Sequence, residues 1–206
     1  MIPVLLADDE TLIRAALATL LDLEAELEVV GHVGSGEELL AVWERRVAEQ
    51  APVAVAVIDL QMPGMDGIET AVRLLRLTPG AGTLIVTSHG RPGYLKRALS
   101  AGVRGFLPKT TSASTLAQVI RTVHEGGRYV DPELAAEAIS AGDTVLTGRE
   151  ADVLEYALDG ASVDEIARRA HLSPGTTRNY LSSAMAKLGV ANRYEAALKA
   201  REKGWI

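Results

Sequence analysis

The sequence predicts an α/β first domain, a doubly wound five-stranded parallel sheet, followed by a smaller all-α domain of four helices. Three observations carry this expectation. Over the first 125 residues, five short apolar runs alternate with longer segments of helical period, as repeated strand–helix units require. Glu125-Gly126-Gly127 ends that alternation, and Gly142-Asp143 breaks the chain again. From Thr144 onward only helix-period segments remain, punctuated by Gly160, Leu172-Ser173 and Gly189. The expected division is 1–125, a linker over 126–143, and 144–206.

The elements follow in order. Residues 2–7, 53–58 and 84–86 are near-continuous apolar runs, as strands buried on both faces read. Residues 28–33 and the short run 105–107 complete the five strands. Amphipathic helices are expected over 12–23, 37–48, 67–75, 92–100 and 113–124. Pro92 suits a first turn, and Ser112 is an N-cap with Thr115 three residues on. A short linker helix is expected over 131–141. The second domain reads as helices over 148–158, 163–170, 174–188 and 193–203. Thr147 and Glu150 form a capping box, while Ser173 caps the helix that Pro174 opens.

Composition narrows the function classes. Of 206 residues, 48% are hydrophobic and only 4% aromatic, so the core must be built from Leu, Val, Ile and Ala. The longest apolar run, 53–58, is far short of the roughly 18 residues that suggest a spanning helix. No basic region precedes an apolar stretch at the start, so no signal peptide is expected. The absence of cysteine removes disulfides, thiolate metal sites and cysteine nucleophiles. A cytoplasmic protein is expected. The net charge of −6 hides an asymmetry. Residues 1–143 carry 12 Lys+Arg against 19 Asp+Glu, and residues 144–206 carry 9 against 8. Between Ile166 and Tyr194 stand Arg168, Arg169, Arg178, Lys187 and Arg193, with no acid. Such a basic segment in an acidic chain suits nucleic acid, although a solvated helical face has the same composition.

In an open parallel sheet, ligands sit at the carboxyl ends of the strands. Those ends carry Asp8 and Asp9 after the first strand and Asp59 after the third. Thr87 follows the fourth and Lys109 the fifth. Three converging carboxylates repel one another unless a cation joins them, and oxygen-only ligands favour Mg²⁺. Lys109 adds a point charge suited to phosphate oxygens, and Thr87 a hydroxyl donor. Each residue alone has a bland reading, as a helix cap, a turn residue or a solvated side chain. Their joint arrival at four strand ends does not.

These residues bring a resemblance. Asp8-Asp9-Glu10, the run from Asp59 to Gly67 (DLQMPGMDG), Thr87-Ser88 and the run from Gly105 to Lys109 (GFLPK) resemble the receiver domain of bacterial two-component response regulators. The resemblance implies that Asp59 accepts a phosphoryl group from a sensor histidine kinase. It implies that Asp9, Asp59 and the Gln61 carbonyl hold Mg²⁺, with Asp8 helping through water. It makes Thr87 and Phe106 a switch pair, the hydroxyl moving to the phosphoryl oxygen and the ring following inward. A new dianion beside Mg²⁺ and Lys109 gives Thr87 a strong acceptor, which favours one loop position over another. Gln61 and His89, each two residues beyond a site residue, are expected to flank the path of hydrolytic water. Pro108 departs from the aliphatic residue usual before the lysine.

In the second domain, residues 163–170, the turn His171-Leu172-Ser173 and residues 174–188 read as helix, turn, helix. Arg178, Asn179 and Ser182 fall on one exposed face, while Leu181, Met185 and Leu188 point inward. Arg and Asn are the types that read guanine and adenine edges in the major groove; Thr176 and Lys187 are placed for phosphates. A small helical bundle that binds protein is the alternative on geometry alone. The runs LTGRE (146–150), TTRNY (176–180), KLGV (187–190) and RYEA (193–196) resemble the LuxR-type domain of the NarL/FixJ subfamily. That resemblance makes 174–188 the recognition helix and promoter DNA the partner, with Thr177 where a bulkier aliphatic is usual. A narrower one joins Arg91-Pro92-Gly93-Tyr94 and residues 177–182 to regulators that answer a membrane-fluidity sensor kinase and control desaturase genes.

Two rival readings are disfavoured. Mg²⁺-dependent aspartyl phosphatases on a similar sheet space their acids as Asp-x-Asp after the first strand, whereas Asp8 and Asp9 are adjacent, so no enzyme is expected. A receptor for a small signalling molecule needs a roomy, aromatic-lined pocket, which one Phe, two Trp and five Tyr do not supply. Pairing of half-sites on DNA requires a dimer, expected once phosphorylated. The resemblance implies two candidate surfaces in the first domain, the helices over 12–23 and 113–124, or the helix over 92–100 with its neighbours. The first is favoured, because Leu116, Val119, Ile120 and Val123 look surplus to one buried seam, and the second domain is expected to pair through its last helix, where Ala196, Ala197 and Ala200 would allow close approach.

Overall fold

The computed structural model describes residues 1–88, 92–140 and 144–206, Pro92 by its backbone alone. The chain divides into two compact units, Met1–Gly90 with Arg97–Asp131, and Arg91–Lys96 with Pro132–Ile206. This differs from the expected boundaries, because the first half of one helix groups with the second unit.

The strands are β1 (Ile2–Ala7), β2 (Leu27–Val33), β3 (Val55–Asp59), β4 (Gly82–Thr87), β5 (Gly105–Pro108) and β6 (Tyr129–Val130). The helices among them are α1 (Thr11–Asp22), α2 (Gly36–Ala48), α3 (Gly67–Leu77), α4 (Pro92–Ser100) and α5 (Ala113–His124). They form one parallel sheet in the order β2-β1-β3-β4-β5-β6. The order reverses at β1, which brings the carboxyl ends of β1 and β3 together where such sheets hold ligands. Every residue of β3 and β4 is buried, as their unbroken apolar runs require.

The sixth strand corrects the expected five. Within the stretch expected as linker, Tyr129 and Val130 pair with Gly105 and Phe106, covering an edge that would otherwise leave backbone groups unpaired. Two residues are too few to show a strand period, so the sequence carries no such signal. The rest of that stretch includes α6 (Pro132–Ser140), close to the expected linker helix.

On one side of the sheet, Val4, Leu6, Val57 and Val86 pack with Leu116 and Ile120 of α5 and Leu21 of α1. Leu116, Val119, Ile120 and Val123 are all buried in this core. None is surplus, so they cannot form a dimer seam. Three of the exposed leucines lie on α1 and just after it: Leu12, Leu20 and Leu23.

The second unit adds α7 (Gly148–Leu158), α8 (Val163–Arg169), α9 (Pro174–Leu188) and α10 (Arg193–Glu202). Its core joins Val153, Leu154, Ile166, Leu181 and Leu188. Ala196, Ala197 and Ala200 are fully buried there, so they fit α10 to its own unit and are not available for pairing with a second copy. The capping box at Thr147 and Glu150 forms, and a second one, unanticipated, joins Ser162 and Glu165. Ser173 and Ser112 accept from the backbone N–H three residues on, as caps do. In the same unit the buried Tyr94 hydroxyl donates to the buried Asp152 carboxylate. Among the described residues, no helix is long and apolar enough to cross a membrane.

Candidate phosphoryl and nucleic-acid sites

The first site is built from strand ends. Asp8 and Asp9 follow β1, Asp59 closes β3, Thr87 closes β4 and Lys109 follows β5. Because β1, β3, β4 and β5 are adjacent, the topology alone brings these five together. Gly67 makes the β3 end possible. A Cβ there would fall 2.2 Å from the Asp59 carbonyl oxygen, so only glycine lets α3 start against that strand. Its N–H donates to the Leu60 carbonyl at 3.0 Å.

Asp8 and Asp59 are almost fully buried. Oxygens of Asp8, Asp9 and Asp59 lie within 4.8 Å of one another. The Lys109 ammonium sits among them, 2.8 Å from Asp8 Oδ2, 3.2 Å from Asp59 Oδ2 and 3.1 Å from Glu10 Oε1. One cation does not balance the cluster. Burial pushes the Asp59 carboxyl up to about 7; Lys109 pulls it down, but Asp8 and Asp9 add to the rise. Burial disfavours the Lys109 ammonium too, yet Asp59 and Asp8 outweigh it and raise its pKa. Asp8 Oδ2 is buried with Lys109 beside it but no aligned hydrogen bond. A buried anionic oxygen and a strained carboxylate group together fit a divalent cation.

Thr87 is buried, as is the whole ring of Phe106. The inward movement expected of that ring therefore has no outward starting position here. Gln61 is half-buried in the loop after β3. His89 and Arg91 lie outside the described residues. Pro108 is accommodated without loss of the strand end. It pairs with Thr87, and the next N–H, that of Lys109, donates to the Thr87 carbonyl at 2.7 Å. Two residues had escaped assignment. Glu10 reaches Lys109, and Arg14, one turn into α1, donates to the Asp8 carbonyl. The Asp8-Asp9-Glu10 run signalled the first; nothing in the pattern signals the second.

The second site is the outer face of α9. Arg178, Asn179 and Ser182 are exposed, while Leu181, Ala184 and Leu188 are buried. The turn before α9 places His171 at φ 52°, a left-handed position uncommon for residues other than Gly, though His takes it more readily than most. Leu172 N–H then donates to the Ala167 carbonyl at 2.8 Å. Thr176 shares a hydroxyl hydrogen bond with the Ser173 cap at 2.8 Å. Thr177 is fully buried, and its hydroxyl finds the Ser173 carbonyl at 3.0 Å, which is how a polar residue is tolerated there. Lys187 departs from expectation: its ammonium is bonded to the buried Glu150 carboxylate at 2.7 Å. A phosphate must compete with that partner, so Lys187 is not the free contact that its position suggests.

Residues 4–121 match the family described as the response regulator receiver domain, and residues 144–200 match bacterial regulatory proteins of the luxR family. The transcriptional regulatory protein DesR of Bacillus subtilis (strain 168) is 39% identical over 206 residues, covering 100% of both chains. The transcriptional regulatory protein UhpA of Escherichia coli (strain K12) is 38% identical over 205 residues, again covering 100% of both. Among solved structures, the response regulator ChrA of a heme-sensing two-component system aligns with a TM-score of 0.56 at 31% identity, covering 100% of this chain and 98% of that one. The response regulator RcsB in complex with DNA aligns with a TM-score of 0.60 at 25% identity, covering 98% of each. Such even identities to differently named regulators point to the shared family rather than to one member.

Proposed function

Since this chain belongs to the response regulators that join a receiver domain to a LuxR-type DNA-binding domain, we propose that Asp59 accepts a phosphoryl group from a sensor histidine kinase and thereby sets how tightly the chain binds promoter DNA. The observation that carries this reading is the convergence of Asp8, Asp9, Asp59 and Lys109 at adjacent strand ends. In the transfer, an Asp59 carboxylate oxygen bonds to phosphorus as the P–N bond to the donor imidazole breaks. The electron pair leaves on the ring nitrogen. Asp8, Asp9, Asp59 and the Gln61 carbonyl would hold Mg²⁺. When bound, that ion offsets the charge of the acids and of the incoming phosphoryl oxygens. Lys109 exchanges its carboxylate partners for the phosphoryl oxygens, and Thr87 donates its hydroxyl to one of them.

Thr87 is buried at the end of β4, so answering a new acceptor shifts backbone as well as side chain. With Phe106 already buried, we assign the switch to the β4 end rather than to a swing of the ring. On α9, Arg178 and Asn179 read base edges, with Ser182 beside them and Thr176 at the phosphates. The phosphorylated chain acts as a homodimer, because one α9 reads only a few base pairs. The protein is a cytoplasmic regulator and not an enzyme. Intact-mass measurement after treatment with acetyl phosphate and Mg²⁺ tests the central step. One phosphoryl group is expected on the wild-type chain and none on Asp59→Asn. Undiminished labelling of the variant would move the acceptor elsewhere.

A further inference from the structure

Glu150 is a charged residue buried in the second unit, and its partners say what it does. It stands at the third position of α7, only 3% exposed. Oε2 accepts the Thr147 backbone N–H at 2.6 Å and the Lys187 ammonium at 2.7 Å. Oε1 accepts the Ser183 hydroxyl at 2.6 Å. A capping glutamate needs only the first of these bonds. The other two come from α9, from positions one helical turn apart, so a single carboxylate holds that helix at two points along its length.

The place of those points matters. Asn179 is one turn before Ser183, and Ser182 is its immediate neighbour, so the held stripe borders the exposed stripe of Arg178, Asn179 and Ser182. The core stripe of α9 is Thr177, Leu181, Ala184 and Leu188. Apolar contact of this kind is non-directional and resists a small rotation or slide only weakly. Hydrogen bonds to a fixed carboxylate are directional. They fix both the rotation of α9 about its axis and its position along it. Base reading depends on both, since a bidentate contact from Arg or Asn tolerates little misplacement.

We propose that Glu150 is the positioning residue of the DNA-reading helix, with Lys187 and Ser183 as its arms, so that sequence selectivity is set from α7 by a residue that touches no DNA. This rests on the reading of α9 as the recognition helix. It also reassigns Lys187, from a phosphate contact to a member of the clamp. Desolvation alone would raise the Glu150 carboxyl, but the bonds from Lys187, Ser183 and Thr147 prevail and hold it below its ordinary range, as a carboxylate kept charged by its donors requires.

The test uses the full chain treated with acetyl phosphate and Mg²⁺, and a duplex that the treated wild-type protein selects from a random library, with a scrambled duplex as reference. If the wild type selects nothing, the recognition-helix reading itself fails. Given a selected duplex, Glu150→Gln keeps the size of the side chain but turns an amide toward three donors. It is expected to lower affinity for the selected duplex on the order of tenfold while scrambled-duplex affinity holds, so the ratio between them collapses. Lys187→Gln should lower the same ratio, and the double variant should lose no more than either single one, as members of one unit do. Should Glu150→Gln unfold the unit, Ser183→Ala removes one arm only and is expected to lower the ratio in part. Equal losses on both duplexes, with a drop of about one in the salt slope for Lys187→Gln, would overturn the proposal and return Lys187 to the phosphates. An unchanged ratio in a folded Glu150→Gln variant would overturn it too.

Discussion

Asp59 shows how much the receiver's chemistry depends on one side chain's surroundings. Its carboxyl is pushed up to about 7, first by burial and then by Asp8 and Asp9, against the pull of Lys109. A carboxyl whose folded value lies above its unfolded value is penalised when charged. Without a divalent cation, the first unit is therefore expected to lose stability as pH rises from about 4 through 7. Lys109 stays charged across that window and adds no slope of its own. Asp59→Asn removes the buried charge without changing shape. At pH 8 in chelator it should melt above the wild type, on the order of 5 °C, and gain nothing when Mg²⁺ is added. Thermal melts of both chains across pH, with and without Mg²⁺, check this. A wild type as stable at pH 8 as at pH 5 in chelator would mean that the three acids do not strain one another. Asp59, Asp8, Asp9, Thr87 and Lys109 were legible in the sequence because each ends or follows a strand, and strand ends are fixed by apolar runs. The Lys187–Glu150 bond was not. A lysine on an outward position of a helix reads as free until the neighbouring helix is in place, and nothing local to either residue announces the other.

Among the elements, the helices of the second unit were legible nearly to the residue, because Thr147, Ser173 and Pro174 mark their starts chemically. Depth was harder to read. The apolar residues of α5 suggested a surplus, yet Leu116, Val119, Ile120 and Val123 are all consumed by the core. Helical period tells which way a face points but not how much of the sheet it covers. An exposed apolar stripe lies on α1 instead, where Leu12, Ala16 and Leu20 recur at four-residue intervals, with Leu23 just beyond. This stripe is the stronger candidate for the receiver's pairing surface. Leu20→Glu should leave the core untouched and phosphorylation unchanged, while weakening the phosphorylated dimer by about tenfold or more, since it places a charge in a desolvated seam. Light scattering on the phosphorylated variant, against the phosphorylated wild type, reads this directly. An undiminished dimer would remove α1 from the pairing surface.

At the scale of the whole molecule, the chain is divided in charge as well as in fold. Net negative charge lies in residues 1–143, and the acid-free basic segment begins at Ile166. The pairing and grouping of the residues between the two family matches were not legible. The stretch expected as linker contributes β6 and α6, and Arg91–Lys96 groups with the second unit, because short pairings and long-range packing leave no periodic trace. The phosphoryl chemistry proposed for Asp59 and the base reading proposed for α9 fall in separate units, so the proposed function requires the state of one to alter the affinity of the other. The measurement that tests this most directly is the anisotropy of a labelled selected duplex, titrated with the full chain before and after acetyl phosphate and Mg²⁺, for the wild type and for Asp59→Asn. Affinity should rise on phosphorylation of the wild type and stay at the basal level in the variant. A wild type whose affinity is the same in both states, or a rise that persists in Asp59→Asn, would contradict the account.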